Sequence, residues 1–173
     1  MPASRRLHLL RHAKSSWDDP MQSDHDRPLN GRGRRACKLL REYVRDRDVE
    51  PQLTLCSTAR RTVETVEGLK LSGEVKLEPR IYSAGAEDLL ERLQQLPSEL
   101  DEVMMVGHNP SMQVLVLKLA AANGPHSHEL DEIRMKYPTG ALSTLEFQGD
   151  WADLRPGGAE LINYVRPKAL QYQ

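Results

Sequence analysis

Cysteine is scarce in this chain: Cys37 and Cys56 are the two present among 173 residues. Two cysteines do not make the disulfide framework of a small secreted domain, and their spacing matches no zinc motif. They read as reduced thiols in a cytoplasmic protein. Aromatic residues make up 5% of the chain, with a single Phe, so the core must rest on Leu, Val and Ile. No apolar run is long enough to span a bilayer, and the run Leu7-His8-Leu9-Leu10 behind a basic start is too short for a signal peptide. Neither sign of charge dominates: 24 Lys and Arg against 25 Asp and Glu leave a formal charge of −1. That balance excludes a polyelectrolyte and argues against non-specific nucleic-acid binding, while leaving room for a few arginines gathered around one anion. The Gly-x-x-x-x-Gly-Lys loop and a Gly-x-Gly-x-x-Gly turn after a strand are both missing, which removes the usual nucleotide cradles.

What is present has the pattern of alternating strands and helices. Leu7 to Leu10 forms a short buried strand that stops at Arg11-His12. A polar loop with Pro20 and Pro28 follows, and then Ala36, Leu39, Leu40 and Tyr43 at helical spacing predict a helix over 31–46. Leu53 to Cys56 predicts a second strand, with Ser57-Thr58 as the N-cap of a helix over 59–69. Val75 to Leu77 forms a third strand limited by Pro79, and a helix over 87–96 ends at Pro97. Glu102 to Gly107 is the clearest buried strand, followed by a helix over 111–122, a polar loop over 123–132, and strands over 141–147 and 161–165. No repeat or linker interrupts this order. It predicts one α/β domain over 1–173 with a largely parallel sheet.

In such sheets ligands bind at the carboxyl ends of the strands. Three predicted strands end in polar, reactive residues: Arg11-His12, Ser57 and His108. A neutral imidazole is a nucleophile near pH 7 and can attack phosphorus to form a phosphohistidine. The phosphoryl oxygens must then be held and their charge offset, which the planar, permanently charged guanidinium does well. Preorganised donors of this kind are each worth about 3–4 kcal/mol in a transition state.

Four segments carry a resemblance. Arg11-His12-Ala13-Lys14-Ser15 behind a strand resembles the Arg-His-Gly signature of the histidine phosphatase superfamily. Ser57 to Thr65 resembles its second motif, whose phosphate-binding Arg stands four residues after a Ser and whose Thr stands eight after it, which selects Arg61 over Arg60. Val106-Gly107-His108-Asn109-Pro110 resembles the third motif, and Asp26 to Gly33 resembles the Arg-Pro-Leu stretch of the SixA-like phosphohistidine phosphatases. The resemblance implies a phosphoglycerate mutase-like, three-layer α/β/α fold. It implies His12 as nucleophile, Arg11 and Arg61 as phosphoryl ligands and His108 completing the pocket. Arg27 and Ser15 are implied as further phosphate contacts. No metal and no cofactor are implied.

The sequence also departs from that pattern. Ala13 stands in place of Gly and would resist a positive φ. Asp18 stands where larger relatives place an Asn near phosphate, and is expected to point away. No motif fixes a general acid; Glu78 and Glu87 are regional candidates. A phosphoramidate substrate would relieve that need, because its imidazole can be protonated before the N–P bond breaks. The substrate expected is a phosphorylated protein carrying phosphohistidine, since a chain this short lacks a large lid. A small phosphorylated metabolite is the alternative substrate, and a non-catalytic phosphate-binding module is the alternative of another class. A mutase is disfavoured for want of a closed, water-excluding site. No nucleic-acid or membrane partner is expected, and nothing demands more than a monomer. Arg32, Arg34, Arg35 and Arg41 read as the wet face of a helix and His8 as a structural histidine. His126 and His128 read as solvated loop residues, while Trp17 either walls the pocket or covers the sheet edge.

Overall fold

The structure, a computed structural model, describes residues 3–171. Strand β1 (Ser4–Arg11) leads through a long loop with one 3-10 turn (Asp24–Asp26) to helix α1 (Gly31–Asp46). Then come β2 (Leu53–Ser57), α2 (Arg60–Leu69), β3 (Glu74–Glu78), the single turn α3 (Pro79–Ser83), α4 (Ala86–Gln94) and β4 (Glu102–Gly107). The chain continues through α5 (Ser111–Leu119), α6 (Ser127–Met135), β5 (Leu142–Gln148), β6 (Glu160–Val165) and α7 (Pro167–Leu170). The six strands form one sheet in the order β3-β2-β4-β1-β5-β6. Strands β1 to β4 run parallel to one another, β5 is antiparallel to β1, and β6 is antiparallel to β5.

Side chains alternate across this sheet, so the period of two sorts the strand residues into two cores. Leu7, Leu9, Leu55, Val103 and Met105 face one side, where they pack with residues of α4, α5 and α6. Leu10, Cys56, Met104 and Val106 face the other, with residues of α1, α2 and α7. The result is the expected three-layer α/β/α arrangement with a mostly parallel sheet. Register decides what the layers present at the carboxyl edge. Leu10 and Cys56 both pair with Val106, and Arg11 pairs with Gly107. The ends of β1, β2 and β4 therefore stand level, and the residues that follow them share one edge.

Helix α1 starts where the sequence predicts. The Asn30 side chain accepts a hydrogen bond from the Gly33 amide at 2.9 Å, a cap worth about 1 kcal/mol. Gly33 is required for another reason: a Cβ there would lie 2.1 Å from the Lys14 carbonyl oxygen. This contact seats α1 directly against the loop that follows β1.

Several boundaries differ from the sequence reading. Residues 127–135 are helical as α6, not loop. Gly124, Pro125 and the polar run after them mask a short amphipathic helix whose Leu130 and Ile133 are buried in the core behind α5. Pro79 does limit β3, and it also begins α3, at whose first turn a proline is tolerated. Helix α2 is not capped by Ser57 or Thr58; its N-cap position is Ala59, and the Ser57 hydroxyl is used elsewhere.

Candidate active site

His12 leaves β1 with its backbone fixed on both sides. Its amide donates to the Gly107 carbonyl at 3.1 Å, and its carbonyl accepts from Gly140 at 2.9 Å. Gly140 adopts φ +78°, which favours glycine. The ring is 6% exposed. Its Nδ1 lies 2.7 Å from the Ala13 carbonyl oxygen. That oxygen can only accept, so Nδ1 carries the proton and Nε2 presents a lone pair. Arg61 Nε donates to this Nε2 at 3.3 Å. Burial lowers the His12 pKa to about 3, and the charges of His108, Arg61 and Arg11 act the same way.

The His108 ring stands 5.3 Å from that of His12, centroid to centroid. Its Nδ1 is 3.3 Å from Arg61 Nη2, which can only donate, so the proton of the neutral ring sits on Nε2 and is given to Ser57 Oγ at 2.8 Å. Burial and Arg61 lower the His108 pKa to about 4. Ser57 thus orients the second histidine, a role the capping interpretation had hidden. Thr65 ties the two motifs together: it accepts from the Ala13 amide at 3.0 Å and donates to the Arg61 carbonyl at 2.7 Å.

Arg61 is 5% exposed and joins His12 to His108. Arg11 stands close enough that Arg61 lowers its pKa, after burial itself. One of its nitrogens donates to the Tyr137 carbonyl at 3.0 Å, while its buried Nε has no partner among the described residues. Two cations side by side, one with an unspent donor, make a hollow suited to an anion. Arg27 and Ser15 are brought together with each other, Nη1 donating to Oγ at 2.7 Å. They connect to the hollow through Asp24, whose carboxylate accepts from Arg27 at 3.1 Å and from Arg61 at 3.0 Å.

Asp24, Tyr82 and His25 are the site neighbours that sequence reasoning missed. Tyr82, on α3, donates to Asp24 at 2.6 Å and packs edge-on against His108 at 5.4 Å. His25 packs edge-on against Tyr82 at 4.8 Å and shares a hydrogen bond with Thr58 at 2.9 Å. The hydrogen bond from Tyr82 and the two guanidinium groups hold the Asp24 carboxyl well below the usual carboxylate range. An acidic residue three positions before Arg27 was the one available signal.

Ala13 does not adopt a positive φ, so its methyl group causes no strain. Asp18 is exposed and makes none of the site's hydrogen bonds. Arg60 is exposed and pairs with Glu64 at 3.3 Å, one turn along α2. Neither candidate acid lies in the hollow. Glu78 is held by Arg92 at 2.8 Å, and Glu87 is 87% exposed beside Lys118. Trp17 is 72% exposed with the Arg27 guanidinium 3.5 Å over its ring, so it covers no sheet edge. His8 is buried in the sheet between Thr144 and Glu102. His126 and His128 sit at and in the first turn of α6 with glutamate partners. Both cysteines are free, and burial raises their thiols to about 11 for Cys37 and about 12 for Cys56. Among the described residues no helix is long and apolar enough to cross a membrane.

The model of the histidine phosphatase superfamily (branch 1) matches residues 7–82. An uncharacterized protein of Mycobacterium tuberculosis is 31% identical over 159 residues, covering 92% of this chain and all of that protein. Two similar solved structures are each named as a putative phosphohistidine phosphatase SixA. That from Nakamurella multipartitia is 31% identical with a TM-score of 0.85, covering 96% of this chain and 99% of its own. That from Agrobacterium tumefaciens is 28% identical with a TM-score of 0.77, covering 96% of this chain and 100% of its own.

Proposed function

The chain belongs to the histidine phosphatase superfamily, and on that footing we propose that it hydrolyses phosphohistidine on a protein through a covalent intermediate on His12. One observation carries this reading: His12 Nε2 is unprotonated and accepts from Arg61 Nε at 3.3 Å, with the ring proton on the far side against Ala13. Nε2 attacks phosphorus and forms a new P–N bond, and the bond to the leaving group breaks with its electron pair going outward. Arg11 and Arg61 take the phosphoryl oxygens, and His108, steadied by Ser57, faces the same group. Water then attacks the phospho-His12 phosphorus, inorganic phosphate leaves, and Nε2 regains its lone pair.

Arg27 and Ser15 act one layer out. Ser15 supports Arg27, and Arg27 supports the carboxylate that Arg61 also holds. The exposure of the residues at the rim supports a protein side chain as substrate. The loop between β1 and α1 carries one 3-10 turn, and its residues Trp17 and Asp24 are exposed.

The test is a panel of substrates at matched concentration, with and without chelator: a phosphohistidine-bearing carrier protein, free phosphohistidine, para-nitrophenyl phosphate and small phosphorylated sugars and acids. Preferential turnover of phosphohistidine, unchanged by chelator and lost in His12→Ala, is the expected result. Preference for a small phosphomonoester would replace the substrate, and loss of activity with chelator would replace the mechanism.

A further inference from the structure

The hollow at the strand ends is bordered by a carboxylate, an odd neighbour for a phosphoryl dianion. Arg61 Nη2 is 3.0 Å from Asp24 Oδ2 and 3.3 Å from His108 Nδ1, so the carboxylate lies one guanidinium group away from the two imidazoles. It is fixed there by Arg27 on its own loop, by Arg61 on α2 and by the Tyr82 hydroxyl on α3. Nevertheless the side chain is 48% exposed, so it stands at the rim and not beneath the phosphoryl group. The other titratable groups at this edge are Tyr82 itself, His25 and His108, both packed against its ring, and Asp26, 3.7 Å from His25. Asp24 thus comes with an aromatic ledge beside it.

We propose that the Asp24 carboxylate receives the protonated leaving ring of a phosphohistidine substrate and so selects a cationic leaving group over an oxygen one. This rests on the reading of the chain as a phosphohistidine phosphatase with His12 as nucleophile. In a phosphomonoester, negative charge develops on the departing oxygen, and a carboxylate at the exit repels it. In phosphohistidine the ring nitrogen not bonded to phosphorus can hold a proton, and the ring still bonded to phosphorus is then an imidazolium that a carboxylate attracts. The Asp24 oxygen accepts that N–H while His12 Nε2 forms the new P–N bond. The electron pair of the old P–N bond stays on the departing nitrogen. The ring leaves as neutral imidazole with its proton still on the far nitrogen, so no proton donor is consumed. That outcome accounts for a site in which Glu78 and Glu87 both lie elsewhere. Asp24 itself is a poor proton donor, because three hydrogen-bond donors hold it ionised.

The experiment compares kcat/KM of the wild type, Asp24→Asn and Asp24→Glu on free phosphohistidine and on para-nitrophenyl phosphate. Asp24→Asn is expected to lose about 10-fold or more on phosphohistidine, the size of a lost charge-assisted hydrogen bond. Its loss on the aryl phosphate is expected to be clearly smaller, because there the variant loses only the brace on Arg61, and Asp24→Glu is expected to recover part of the phosphohistidine activity. The phosphohistidine deficit should be largest at acid pH, where the substrate ring is protonated, and shrink toward alkaline pH. Equal losses on both substrates would reduce Asp24 to a brace for Arg61 and overturn the proposal. A larger loss on the aryl phosphate would make it a proton donor, and gains on both would make it a plug; either also overturns it. A wild type that cleaves the aryl phosphate but not phosphohistidine contradicts the substrate reading itself, and is recognised before any variant is made.

Discussion

Arg61 Nε points at His12 Nε2 across 3.3 Å, and this contact, with that of Nδ1 to the Ala13 carbonyl, fixes which nitrogen of the ring is unprotonated. A guanidinium cannot accept, so the imidazole must. The same guanidinium offers another nitrogen to His108, 3.3 Å away. Arg60, its neighbour, faces solvent with Glu64.

The difference between the two arginines is the first prediction. Arg61→Ala should lower kcat/KM on phosphohistidine by about 100-fold or more, as expected for losing a preorganised charged donor. Arg60→Ala should cost about 3-fold or less, because an exposed pair is worth little. Steady-state kinetics of the two variants decide it, and equal losses would misplace the phosphoryl ligand.

Proton uptake is the second. His108 is neutral at rest, its pKa lowered to about 4 by burial and Arg61. An oxyanion in the hollow reverses the Coulomb field on Nδ1, so the ring should take up a proton on binding. Sulfate suits the test, being a tetrahedral oxyanion that does not titrate near neutrality. Calorimetry at pH 6 in buffers of different ionisation enthalpy should show net uptake in the wild type and none in His108→Asn. Release of protons, or uptake unchanged in the variant, would contradict it.

Acid stability is the third. His12 and His108 titrate at about 3 and about 4 in the folded protein, below their unfolded value near 6.5. In that window the unfolded chain binds protons that the native state refuses. The stability due to the neutral rings is therefore present above about pH 6.5 and falls as pH drops toward 4. Urea unfolding between pH 7 and 4.5 should show His12→Asn losing less stability than the wild type. Parallel losses would mean the ring is not held neutral.

Strand ends were readable in the sequence because the chemistry there is abrupt: an apolar run stops at Arg11-His12, at Ser57 or at His108. Helix α1 was readable because Ala36, Leu39, Leu40 and Tyr43 repeat at helical spacing. The partners that organise the site were not. Ser57 looks like a helix cap, and only the level register of β2 and β4 turns its hydroxyl to His108. Asp24 and Tyr82 lie 58 positions apart on a loop and a one-turn helix, neither with a periodic pattern. Helix α6 was hidden because its apolar face is two buried residues, Leu130 and Ile133.

Gly33 supplies the fourth prediction. A methyl group there meets the Lys14 carbonyl, which is backbone and cannot rotate away. Gly33→Ala should therefore destabilise the fold by about 1–3 kcal/mol despite the better helix propensity of alanine. It should also lower activity, because the displaced loop carries His12. An unchanged urea midpoint would show that α1 and this loop are not in contact.

The most direct measurement is a rapid acid-free quench of the enzyme during turnover of phosphohistidine, followed by mass spectrometry of the His12 peptide. A phosphoryl group on His12 that appears and decays within a turnover, and is missing in His12→Ala along with activity, is the expected result. Turnover that persists in His12→Ala, or a phosphoryl group trapped on another residue, would contradict His12 as the nucleophile.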